Sequence, residues 1–187
     1  MVTGRIIGSW ALPVAAMMLP ACTVRNVDFS KMQRPGRPAQ LDAYGDFVGS
    51  WTWTARVLNG GGEWSGTATW DWILDQRCLQ GRITARSGKT EFDSSGIWSW
   101  NPRTSDYEWW MFNSWGYPQA GTATYDPAKK RWVMKYRSTG LDGTRSVGKY
   151  EMTFVDKDTL DWRMVEWADP LHLIKKTEMT GTYKRKR

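Results

Sequence analysis

Histidine and cysteine are almost absent from this chain. Its 187 residues include one histidine and two cysteines, so the sequence offers no Cys/His cluster with the spacing of a zinc site. It also lacks a Gly-x-Ser-x-Gly elbow, a phosphate-binding loop and a dinucleotide-binding fingerprint. These absences exclude the enzyme classes that such motifs define, and they favour a function other than catalysis.

A long hydrophobic run is also missing. The apolar stretch from Ile6 to Leu19 follows Arg5 and is interrupted by Gly8 and Pro13. It is too short for a comfortable transmembrane helix and has the length of a signal-peptide core.

Directly after this stretch, Leu19-Pro20-Ala21-Cys22 resembles the lipobox of bacterial lipoproteins. The resemblance implies a signal peptide over residues 1–21 and acylation of Cys22, which would anchor the protein to a membrane without a spanning helix. Thr23 stands where Asp commonly signals retention in the inner membrane. We therefore expect a lipid-anchored protein of the bacterial cell envelope, on the outer membrane facing the periplasm.

The next segment is poor in apolar residues. Residues 22–40 contain Arg34-Pro35-Gly36-Arg37-Pro38, a composition typical of a flexible tether. We assign residues 41–187 to one folded domain. Cys78, left without a partner once Cys22 is acylated, is expected to be a small strand or core residue.

The start of that domain alternates strictly. From Ser50 to Val57, odd positions carry Trp51, Trp53, Ala55 and Val57, and even positions carry polar residues. Alternate side chains of a strand point to opposite faces, so this pattern predicts a half-buried strand. The Gly-rich turn after Asn59 and the alternating segment up to Leu74 complete a predicted hairpin.

Phe47-Val48-Gly49-Ser50-Trp51 resembles the Phe-x-Gly-x-Trp opening of the calycins, the superfamily of lipocalins and fatty-acid-binding proteins. The resemblance implies that the Gly lets the first strand pack tightly and that the Trp plugs the closed end of a barrel. It also implies that a basic residue of the last strand, Lys184 or Arg185, lies over that Trp.

The rest of the chain continues in short alternating segments separated by turn signals. They predict about ten strands, the mark of a sandwich or barrel. Gly66 to Asp71 is nearly repeated at Gly121 to Asp126, which favours an up-and-down meander. Residues 39–44 are expected to form a short helix that caps one end. The series of strands resembles a bacterial family of uncharacterised calycin-like barrels, so we predict an all-β, antiparallel, up-and-down calycin-like barrel.

Tryptophan is the abundant residue, with 14 copies. Indoles two residues apart on common faces predict an interior rich in flat aromatic rings, which suits a small apolar or aromatic ligand. Alternation suggests these contact residues, with Arg82 as the polar partner: Trp70, Trp72, Trp98, Trp100, Tyr136 and Arg82. A filled structural barrel without a ligand is the alternative.

Charge and histidine leave other functions open. The net charge is +7, but the basic residues are scattered until Lys184 to Arg187. A solvated surface is therefore expected, with no nucleic-acid partner and a monomeric protein. We predict no cofactor and no metal. However, nitrobindin-like barrels bind haem through one late His, and this resemblance makes His172 an alternative haem ligand.

Carboxylates meeting inside the barrel are a further alternative, because a buried pair could perform acid–base chemistry. The candidates are Asp71, Asp75, Glu91, Asp93 and Glu166.

Overall fold

The structure, a computed structural model, describes residues 29–140 and 143–187. The predicted signal peptide and Cys22 lie outside the described residues. Residues 36–187 form one compact unit. Residues 29–35 belong to a separate unit, and this described part includes a 3-10 turn, Phe29–Lys31. Within the described part of the chain, no helix has both the length and the apolar character needed to cross a bilayer.

The compact unit consists of one 3-10 helix, Ala39–Phe47, which we call the capping helix, and ten strands. The strands are β1 (Gly49–Val57), β2 (Glu63–Ile73), β3 (Cys78–Ser87), β4 (Thr90–Asn101), β5 (Asp106–Asn113), β6 (Gln119–Asp126), β7 (Arg131–Thr139), β8 (Arg145–Asp156), β9 (Thr159–Trp167) and β10 (Lys175–Arg185).

The ten strands close into an antiparallel barrel. Each strand pairs with its neighbours in sequence, and β1 pairs with β10 from Trp51–Arg185 to Val57–Met179. Closure leaves no free sheet edge in the barrel. The predicted up-and-down order, strand number and N-terminal helix are confirmed.

The capping helix closes one end of the barrel. Its apolar side chains Leu41, Tyr44 and Phe47 are buried, and Tyr44 stacks on the Trp132 ring at 4.8 Å. Phe47 packs edge-on against Phe154 at 4.9 Å. These contacts place a layer of aromatic rings across the barrel, and this end is the closed end.

Arg185 stabilises the closed end through contacts of its guanidinium group. Its guanidinium lies 4.2 Å from the centroid of Trp51 and donates hydrogen bonds to the carbonyls of Val48, Asp46 and Lys157. Gly49 has a φ of 121°, and a Cβ there would stand 3.0 Å from the guanidinium. The basic residue over the Trp and the need for Gly at the start of β1 are therefore confirmed, with Arg185 in the role.

The barrel is filled in its closed half. Trp51, Trp109 and Trp132 are fully buried, and a void of only about 90 Å³ remains between the rings. The turns 58–62, 88–89 and 114–118 lie at the opposite end, where no helix covers the described residues. That end is the open end, and it positions the candidate site.

Candidate functional site

A cavity of about 670 Å³ occupies the open half of the barrel. Ligand pockets for small molecules commonly measure roughly 300–1,000 Å³. The void near the capping helix, at about 90 Å³, is much too small for a comparable ligand. The cavity in the open half is therefore the candidate functional site.

One wall of the cavity is aromatic and comes from β1, β2 and β4 together with the β5–β6 loop. It is formed by Trp53, Trp64, Phe92 and Trp115. The Trp64 and Phe92 rings are 5.6 Å apart, and Phe92 and Trp115 are 5.1 Å apart. Such a wall offers flat apolar faces on which an aromatic ligand can stack.

Methionines line much of the remaining apolar surface. They come from four strands and are Met111, Met152, Met164 and Met179. Methionine is unbranched and polarisable, so it fits irregular ligand shapes and contacts aromatic rings favourably. This part of the cavity can adjust to the ligand.

A row of three residues, which we call the polar row, brings one carboxylate, that of Glu166, to the cavity wall. Tyr136 on β7 faces Gly148 on β8, and Gly148 faces Glu166 on β9. The Tyr136 hydroxyl reaches across β8 and donates a hydrogen bond of 2.8 Å to the Glu166 carboxylate. A Cβ on Gly148 would stand 2.0 Å from Cζ of Tyr136. The missing side chain of Gly148 is thus what lets the Tyr136 ring lie over β8.

Glu166 also faces the ammonium group of Lys176, at the open end of the barrel. The Nζ atom of Lys176 lies 3.5 Å from Oε1 of Glu166, whose side chain is 14% exposed. Burial raises the pKa of Tyr136 well above its usual value, and the nearby Tyr150 and Glu166 raise it further. Tyr136 therefore keeps its proton and acts as a hydrogen-bond donor.

Two buried polar atoms on the cavity wall have no hydrogen-bond partner among the described residues. They are Oε1 of Gln119 and Nε1 of Trp162. An unsatisfied buried polar group costs about 1–3 kcal/mol. A ligand that bonds to either atom would recover part of that cost.

Three of the predicted contact residues point into the barrel. Trp70 and Trp98 line the small void of the closed half, not the cavity. Both rings lie over Gly81, where a Cβ would come within 2.6–2.7 Å of them. Tyr136 belongs to the polar row and reaches the cavity through Glu166.

The other three lie away from both the void and the cavity. Arg82 is exposed on the outer face of β3, because it alternates with the inward Gly81 and Ile83, so it cannot orient a ligand inside the barrel. Trp72 is half-buried under the Arg37 guanidinium, 5.0 Å from its ring centroid. Trp100 packs edge-on against a tyrosine near the capping helix. Neither Trp lines the cavity, because both lie at the closed end.

His172 does not fit a haem held inside the barrel. It is exposed in the β9–β10 loop, with a φ of 62°, and its ring stacks on Trp167 at 4.3 Å. It is not among the residues that line the cavity. Haem binding by another arrangement stays an untested hypothesis.

The carboxylates considered for acid–base chemistry do not converge. Glu166 lines the cavity, whereas Asp71, Asp75, Glu91 and Asp93 are exposed. Across the described ranges, no group of three His, Cys, Asp or Glu side chains is arranged to hold a metal ion. Glu166 brings one carboxylate to the cavity, where it accepts a hydrogen bond from Tyr136 and faces Lys176.

Sequence reasoning placed most of its contacts in the half of the barrel away from the candidate cavity. It missed the aromatic wall and the methionines, although Trp53 and Trp64 stand in the first predicted hairpin. The signal that could have located them is the distance of each residue from the turn. Residues next to 58–62 lie at the open end, and residues next to the capping helix lie at the closed end.

Comparison with known proteins supports the fold. No protein-family model and no curated protein sequence matches the chain. Among solved structures, the chain is similar to Rv2717c from M. tuberculosis, with 14% identity, a TM-score of 0.61, and coverage of 81% of this chain and 100% of that one.

It is also similar to the S-type phycobiliprotein lyase CPES from Guillardia theta, with 10% identity and a TM-score of 0.53, covering 81% of this chain and 94% of that one. At these identities the similarity establishes a shared barrel fold.

Proposed function

We propose that this protein binds a small apolar or aromatic molecule in the open half of its barrel, without covalent chemistry. The cavity of about 670 Å³ is the observation that carries the proposal. Its aromatic wall and its methionines would take the ligand out of water, and the polar row would orient it. The filled closed half supplies a rigid base, since its rings interlock with the capping helix.

A titration with naphthylethanol, followed by calorimetry, tests this function. The probe has a flat ring of two fused cycles and one neutral polar group, so it needs no charge on the protein. We expect Trp64→Ala to weaken binding about tenfold, because an aromatic pair contributes about 0.5–1.5 kcal/mol beyond its buried area.

Trp110→Ala is the matched control. Trp110 is 41% exposed on the outer face of β5 and does not line the cavity, so its removal should leave the affinity unchanged. An absence of binding to the unaltered protein, or equal losses in the two variants, would contradict the proposal.

The proposed setting is the bacterial cell envelope, with the barrel anchored through acylated Cys22. The lipobox-like sequence before Cys22 supports it, and two or more acyl chains on one residue hold a folded domain stably at a bilayer. Fractionation of cells that express the Cys22→Ser variant tests the anchor. We expect the variant in the soluble fraction, and its continued acylation and recovery with membranes would refute the anchor.

A further inference from the structure

Glu166 shares the cavity with several aromatic rings. Tyr136 donates a hydrogen bond to its Oε2 atom. The Tyr136 and Tyr150 rings are 5.4 Å apart, and Tyr150 is 6.2 Å from Trp162. Tyr117, Tyr150 and Trp162 all line the same cavity as Glu166. One carboxylate thus stands among several electron-rich rings.

The carboxylate has capacity for a further partner. A carboxylate offers about four lone-pair positions on its two oxygens. In the structure, Tyr136 uses a position on Oε2, and Lys176 approaches Oε1 at 3.5 Å. Hydrogen-bond acceptance therefore remains available at the carboxylate of Glu166, which lines the cavity.

The tyrosine rings near Glu166 attract positive charge although they are themselves neutral. Burial raises the pKa of Tyr117, Tyr136 and Tyr150, and the charge of Glu166 adds to the shift in each case. The phenols consequently stay neutral. The face of a neutral aromatic ring still carries negative potential, which attracts ammonium groups.

Lys176 is a weak competitor for this position. It carries the one positive charge among the described residues that line the cavity. Its side chain is 44% exposed and its nitrogen is beyond normal hydrogen-bond distance from Glu166. A lysine this exposed gains little from an ion pair at that distance, so the Lys176 side chain can move into solvent when another cation arrives.

We propose that the cavity selects flat aromatic molecules that carry a protonated amine. The ammonium group binds Glu166 near the tyrosines of the cavity, and the aromatic part of the ligand packs against Trp64 and Phe92. This inference rests on the ligand-binding function proposed above and names the chemical class of the ligand. A carboxylate ligand is disfavoured at the same position, because Glu166 would repel it and only Lys176 would offset that repulsion.

Three probes with one ring system separate the alternatives. Naphthylethylamine is cationic, naphthylethanol is neutral and naphthylacetate is anionic, and their affinities for the full chain are measured by calorimetry. We expect the amine to bind about tenfold more tightly than the alcohol, since charge-assisted hydrogen bonds are roughly twice as strong as neutral ones. The acetate should bind most weakly.

Two variants assign the preference to Glu166. Glu166→Gln keeps the size and removes the charge, so amine and alcohol should bind with similar affinity. Lys176→Met changes an exposed side chain, removes the competing cation and should tighten amine binding severalfold. Glu91→Gln, an exposed carboxylate outside the cavity, is the matched control and should leave the preference unchanged.

The outcomes distinguish this inference from the proposed function. If the alcohol binds but the amine binds no more tightly, or if the acetate binds best, the amine class is wrong and the ligand-binding function stands. If Lys176→Met weakens amine binding, the role of Glu166 is wrong as well. If none of the three probes binds, the proposed function itself fails.

Discussion

Gly148 is the position where one methyl group should do the most damage to the site. In Gly148→Ala, the new Cβ would stand 2.0 Å from Cζ and 2.3 Å from the hydroxyl oxygen of Tyr136, so the ring must leave its place. The displacement breaks the hydrogen bond to Glu166. Overpacking costs about 1–3 kcal/mol and loss of a hydrogen bond to a charged group about 1.5–3 kcal/mol. We therefore expect a loss of about 3–5 kcal/mol in the free energy of unfolding.

Urea unfolding of four proteins measures this coupling: the unaltered chain, Gly148→Ala, Tyr136→Ala and the double variant. If Gly148 is required because the Tyr136 ring covers it, then Gly148→Ala should cost under about 1 kcal/mol once that ring is removed. The interaction energy of such a cycle isolates the contact between the two residues. An unchanged slope with denaturant would show that the unfolded states are comparable.

Gly45→Ala is the control for a glycine change in general. Gly45 lies in the capping helix with nothing within 4 Å of its built Cβ and with no positive φ, so the substitution should not destabilise the protein. An equal cost of Gly148→Ala in the presence and absence of the Tyr136 ring would refute the account of the polar row.

Two further predictions concern the closed end and the buried phenols. Arg185→Met should lower the free energy of unfolding by about 3 kcal/mol, because the cation–π contact and the hydrogen bonds to carbonyls are lost. Arg82→Met on the outer face is the control and should change the free energy of unfolding by under about 0.5 kcal/mol. Equal effects of the two substitutions in thermal unfolding would contradict the stabilising role of Arg185. Burial raises the pKa of Tyr136 and Tyr183, so stability should be fully retained below about pH 10 and decrease above it, as the unfolded chain loses these protons first. Phenolate absorbance should then rise together with unfolding, and early titration of these tyrosines in the folded protein would show that they are accessible.

Apart from Arg82, alternation predicted correctly which way the side chains at issue point. Trp109 and Trp110 are adjacent in sequence, and the structure places Trp109 inside, at 1% exposure, and Trp110 outside. Leu160, Trp162, Met164 and Glu166 share the inner face of β9, as a period of two along the strand predicts. These assignments succeed because the two-residue period of a strand is a local property.

Height along the barrel could not be predicted in the same way. The period of two is the same at both ends of a strand, so it does not distinguish a residue beside the capping helix from one beside the cavity. The difference arises from where the chain between Ala39 and Phe47 packs, which is a tertiary contact. Trp72 and Trp100 were misassigned for this reason, and Trp53 and Trp64 were missed.

The polar row could not be predicted from the local sequence pattern either. Tyr136, Gly148 and Glu166 lie on three different strands, and they meet only through the register of β7, β8 and β9. The β2–β3 turn also gave no local signal, because Leu74, Asp75 and Gln76 adopt positive φ without a glycine. Such turns depend on the strands that they join, not on their own residue types.

Methyl NMR of the methionines tests most directly whether the open half of the barrel binds an aromatic ligand. Met111, Met152, Met164 and Met179 line the cavity, whereas Met32 is exposed to solvent. During a titration with naphthylethylamine, ring currents of the bound probe should shift the methyl signals of the four cavity methionines and leave that of Met32 in place. If the four signals stay unmoved at saturating probe while the Met32 signal shifts, the ligand site is not in the barrel and the account is wrong.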